Sequence, residues 1–226
     1  MGRPDLDVAP RAAAGRALVP GLPDDVIALP HWRQQSTTLL VTLDRSEHAR
    51  RGDTQTGPVP YDSMELLTLM LRLPHGEQVP LAEFDQRDRR RLRGARNSGA
   101  VSEAHTDRGA AAVVRHALRP LRVHLAVVSG PPIAGLEQAG SFAPFCARAV
   151  LLRKHPGEDY LFEASFYGVG IAIPGPDPRQ DAPVSLLAPR PWVPKRHTPA
   201  GWNFQETAYK QLLTHPDLIP VPDGVS

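Results

Sequence analysis

Residues 121–173 read LRVHLAVVSGPPIAGLEQAGSFAPFCARAVLLRKHPGEDYLFEASFYGVGIAI, and the fold turns on how that stretch is divided. Leu121–Val128 is mostly apolar and β-branched, the signature of a buried strand. Ser129-Gly-Pro-Pro132 turns the chain, and Ile133–Gly140 has the length of a short helical crossover. A strand over 147–153 would then lie parallel to the first through a right-handed connection. Next, His155-Pro-Gly-Glu158 carries a turn signature: Pro156 presets φ, and Gly157 can take the positive φ of a type II turn.

The residues after that turn alternate in character. Leu161, Glu163, Ser165, Tyr167, Val169, Ile171 and Ile173 share one face of an extended chain; Tyr160, Phe162, Ala164, Phe166, Gly168, Gly170 and Ala172 share the other. This pattern predicts an antiparallel hairpin of Ala147–Lys154 with Asp159–Ile173. Gly168-Val-Gly170 lacks the third glycine and the following helix of a phosphate loop. In the hairpin Arg148 is a diagonal neighbour of Glu163, so the two read as an ion pair within a largely apolar row.

Working outward, Thr37–Leu43 is a β-branched strand, and the polar stretch 45–60 reads as a loop. Asp62-x-x-Glu65 opens a helix over 61–73 whose Met and Leu residues surround the cylinder, as in a helix packed into a core. A charged helix follows over 81–93, with Pro80 at its start. Gly94–Ser102 is a flexible link to a third helix over 106–118. Residues 1–36, with five prolines, read as a mobile arm. Pro174–Ala200 holds eight prolines and reads as an extended strap. Asn203-x-x-Glu206 caps a last helix over 203–214, and 215–226 is a loose tail. The fold class is therefore α/β (or α+β): a mixed sheet of about four strands covered by helices, forming one domain over 37–214.

Composition narrows the function classes. A net charge of +2 sets up no global field toward nucleic acid or membrane. Arginine supplies 23 of the 26 basic residues, a codon-usage bias that weakens the meaning of any single arginine. A single cysteine, Cys146, excludes an internal disulfide and multi-cysteine zinc sites. With no apolar leader and no long apolar run, the expectation is a soluble cytoplasmic protein that does not span a membrane. The nine histidines show no metal-ligand spacing, so neither metal nor cofactor is called for.

Three functional readings remain. The first is a non-enzymatic accessory or interaction protein whose partner is another protein. The second is nucleic-acid contact through Arg87, Arg89, Arg90, Arg91, Arg93 and Arg96, which would grip phosphates without reading sequence. The third is an enzyme with its site around His124, Arg148 and Glu163; separately, Cys146 with His124 or His155 could make a thiol dyad.

Overall fold

The computed structural model describes residues 8–54, 57–177 and 181–220. In chain order these form α1 (Val8–Leu18), β1 (Ile27–Leu29), β2 (Thr37–Leu43), α2 (Arg45–Gly52), α3 (Met64–Arg72), β3 (Gln78–Pro80), α4 (Gln86–Asn97), β4 (Val101–His105) and β5 (Ala111–Arg115). The opening stretch supplies β6 (Leu121–Ser129), α5 (Pro132–Gly140), β7 (Ala147–Leu151), α6 (Glu158–Tyr167) and β8 (Gly170–Ile173). β9 (Val184–Leu187) and α7 (Pro199–Leu212) follow. The class is mixed α/β, with a six-stranded mixed sheet in the order β1-β2-β6-β7-β8-β9 and a three-stranded sheet in the order β3-β5-β4.

The chain divides into two compact units. One draws on residues up to Thr42, Val123–Pro194 and the chain from Gln211; the other on Leu43–Arg122 and Lys195–Lys210. In the first unit β6, β7 and β8 are consecutive parallel strands, with Leu125 opposite Ala147 and Val150 opposite Ile171. Parallel neighbours need a crossover, and α5 and α6 provide the two. Leu125, Val127, Ala149 and Ala172 are buried in one cluster with Ala14 and Leu18 of α1. Gly15 lets α1 approach closely, since a Cβ there would come within 2.3 Å of Leu40.

The predicted hairpin of 147–154 with 159–173 is overturned: residues 158–167 are helix α6, and β7 runs parallel to β8. The period of two was a coincidence of composition. Glu158 and Asp159 occupy the first turn, where carboxylates favour the helix dipole. Gly157 is extended, with φ −68°, and the positive φ falls instead on Gly168 at +70°, the left-handed residue that stops the helix. The Arg148–Glu163 pairing depended on the hairpin and goes with it: Arg148 donates instead to the Tyr167 carbonyl.

The helix predicted over 106–118 is also absent; β4 and β5 form a hairpin there, with Val101 opposite Arg115 and His105 opposite Ala111. Its turn is closed by the Thr106 N–H bonding to the Ala110 carbonyl, with Gly109 at φ +75°. Strand pairing has overridden the helix propensity of Ala110–Ala112. The link expected over 94–102 is the end of α4 and the start of β4. The loop expected over 45–60 is α2 in its first half, because Asp44 accepts from the Glu47 N–H at 2.9 Å and caps it; residues 55–56 lie outside the described residues.

Other elements shift rather than change. Ser63, not Asp62, caps α3. Asp85 caps α4, which runs on to Asn97, while Pro80 ends β3 at the edge of the small sheet. Thr198 accepts from the Gly201 N–H, so α7 starts at Pro199, and Asn203 and Glu206 are interior. Of the expected arm, residues 8–18 are α1 and 27–29 an edge strand. Of the strap, 184–187 is the opposite edge strand, pairing antiparallel with β8. Residues 1–7, 178–180 and 221–226 lie outside the description. Among the described residues no helix is long and apolar enough to cross a membrane.

Candidate interaction face

The exposed side chains of α6 include three aromatics. Only Ala164 is buried among its ten residues. Phe162 is 77% exposed, Phe166 71% and Tyr167 50%. Four residues apart, Phe162 and Phe166 sit one above the other on the helix surface, and Phe166 meets Tyr167 edge-on at 5.3 Å. Glu158, Asp159 and Glu163 are exposed around them. Single exposed apolar residues are ordinary, but three aromatics on one short helix are not.

Loose anchoring does not account for this exposure. At the start of the helix the Tyr160 hydroxyl donates to the Pro132 carbonyl at 2.9 Å, beside α5. Burial, and then the charge of Glu163, push that hydroxyl's pKa up to about 12. At the other end, Arg148 donates to the Tyr167 carbonyl and Arg190 to the Phe166 carbonyl. Cations there complement the helix dipole. The Val169 N–H closes back on Ala164 at 2.8 Å, completing the C-terminal cap. Ile133 of α5, next in sequence to Pro132, is 74% exposed.

The three residues of the enzyme reading take separate tasks. His124 on β6 has its Nε2 2.9 Å from the Thr42 hydroxyl. Arg148 lies on β7 opposite Ala126, its guanidinium committed to the end of α6, and burial pulls its pKa down. Among the described residues its buried Nε has no hydrogen-bond partner. Glu163 stands exposed on α6. Cys146 is fully buried, and burial pushes its thiol up to about 12, the opposite of what a nucleophile needs. Among the described residues no group of three or more His, Cys, Asp or Glu could hold a metal.

The six arginines of the basic run all lie on α4 but not on one side of it. Arg89, Arg93 and Arg96, at i, i+4 and i+7, line a cavity of about 310 Å³ beside β4 and β5. Arg91 turns to Asp88 at 3.2 Å, and Arg72 of α3 reaches the same carboxylate at 3.0 Å. Arg87 and Arg90 are exposed.

Sequence reasoning missed a buried charge cage in the second unit. Arg51 is 1% exposed, and all of its N–H groups find acceptors. Its Nε donates to Glu47 at 2.7 Å, both terminal nitrogens donate to Glu206 at 2.8 Å, and the Val59 and Leu118 carbonyls take the remainder. Glu206 also accepts from the Trp202 indole and the Tyr61 N–H. The Arg51 guanidinium lies 4.1 Å from the Tyr61 ring centre. Burial alone would lower its pKa, but the Glu206 hydrogen bonds and charge more than offset that, and it is raised. Beside the cage, His48 meets the Tyr209 hydroxyl at 2.7 Å; burial and then the charge of Arg51 lower the histidine's pKa. The signal available in sequence was Glu47-x-x-x-Arg51 behind the capping Asp44, a helical ion-pair spacing within a stretch read as loop. A cage so completely bonded internally offers a ligand nothing.

No family model matches the chain, and no curated protein or solved structure matches it.

Proposed function

We propose that this chain is a non-enzymatic interaction protein that docks on another protein through α6, in a reducing compartment such as the cytoplasm. The observation that carries this reading is the exposure of Phe162 and Phe166 on a helix anchored at both ends. A helix offering exposed aromatics at i and i+4 suits a partner with an apolar groove. The carboxylates of Glu158, Asp159 and Glu163 around that stripe call for lysine or arginine at the groove's edges. Moving both rings out of water would contribute about 3–6 kcal/mol before the costs of association. The reducing compartment rests on the single, deeply buried thiol.

The test is the size of complexes formed in the cells that make the chain. The full chain should migrate in a discrete complex after mild cross-linking. Phe162→Asp with Phe166→Asp should return it to the monomer position, and Glu163→Lys should weaken the complex. Arg153→Asp, an exposed change off the helix, should leave it intact. A complex that survives the double aspartate variant would remove the proposal.

A further inference from the structure

The second unit holds a cavity beside α4. Its floor is apolar: Leu92, Val101 and Val113 are each under 5% exposed. Its rim is cationic. Arg96 makes an exposed ion pair with Glu103 at 2.6 Å. The Nε of Arg89 donates to the Leu81 carbonyl at 2.9 Å, which fixes the side chain, and its two terminal nitrogens have no partner among the described residues. Arg93, four residues on, has no hydrogen bond or ion pair among the described residues. Two guanidinium groups, one of them fixed in place, thus stand over an apolar floor with donor capacity unused.

We infer that this cleft binds a small organic phosphate, with Arg89 and Arg93 on the phosphate and a single-ring apolar body on Leu92, Val101 and Val113. Guanidinium forks match phosphate oxygens two at a time. A cavity of about 310 Å³ is at the small end of ligand sites, which suits one ring and one phosphate. A polynucleotide fits less well. The row that faces the cleft contains three of the six arginines, Arg91 is taken by Asp88, and α4 has no aromatic residue on which a base could stack.

The test uses the full-length chain with phenyl phosphate as probe, and inorganic phosphate and a single-stranded oligothymidylate beside it, all at low salt by calorimetry. Phenyl phosphate should bind the unaltered chain about ten-fold more tightly than inorganic phosphate, through the apolar floor. Arg89→Gln with Arg93→Gln should weaken it about ten-fold or more, and Arg90→Gln should change it by less than about two-fold. A second measurement needs no variant: phenyl phosphate should slow phenylglyoxal labelling of Arg93 and not of Arg90. No binding of phenyl phosphate, equal labelling of the two arginines with and without it, or indifference to the double substitution would each overturn the inference. So would oligothymidylate binding that falls equally on substituting Arg87 and Arg90 or Arg89 and Arg93, which would assign the whole helix to a polynucleotide backbone.

Discussion

Helices α2 and α6 invert the usual relation between composition and burial. α2 reads RSEHARRG, and two of its charged residues, Glu47 and Arg51, are at most 2% exposed. α6 reads EDYLFEASFY, and two of its phenyl rings are more than 70% exposed. What separates them is the supply of partners within the chain. Arg51 finds Glu47, Glu206, two carbonyls and two aromatic rings, so its charge is satisfied where it lies. Phe162 and Phe166 are held out by a well-bonded helix whose remaining contacts fix its direction. A charge answered from inside is architecture, whereas an apolar surface left exposed on a rigid support is what the proposed docking rests on.

The contrast breaks if α2 tolerates loss of a partner. Glu206→Ala strands the buried Arg51 and should cost about 3–5 kcal/mol, read as a lowered urea midpoint with an unchanged slope. Next in size is Gly168→Ala. It forces a side chain into φ +70° and against Arg190, and should cost about 1–3 kcal/mol. Its use is to show that α6 is held in place by its end. A smaller effect comes from His48, whose folded-state pKa is lowered from 6.5. The folded chain then binds fewer protons than the unfolded one, so stability is fully present above 6.5 and declines as pH falls through that value. Urea midpoints between about pH 5 and 7.5 measure this, and His48→Gln should flatten the profile. Smallest of all, Phe162→Ala or Phe166→Ala should move the folding free energy by no more than about 0.5 kcal/mol, despite the size of the side chain removed. A loss of several kcal/mol there would mean that the rings already have a home in the chain.

Legibility in the sequence followed where local signals agreed. β2, β6, α5 and the parallel placement of β7 were readable because apolar runs, the Gly-Pro-Pro turn at 130–132 and crossover length pointed the same way. α6 was misread because its aromatics fit a period of two as well as a helix, and because Pro156-Gly157 mimics a tight turn. The β4–β5 hairpin was hidden by alanines that favour helix until a neighbouring strand pairs with them. The basic run was visible as a composition, yet its division between the cleft and Asp88 depends on the rotation of α4 about its axis. The charge cage joins Glu47 and Arg51 to Glu206, some 155 residues away, which no local pattern can announce. The exposure of α6 was unreadable for the same reason: burial belongs to what the rest of the chain supplies.

The central claim is that α6 is a docking helix, and a photoreactive benzoylphenylalanine placed at position 162 in the full chain tests it at the ring itself. Irradiated in the cells that make the protein, position 162 should yield one discrete adduct that disappears when Phe166 is also changed to Asp, while the same group at exposed Arg153 yields none. Adducts that are diffuse, or identical from positions 162 and 153, would contradict the account and leave Phe162 and Phe166 as exposed side chains without a partner.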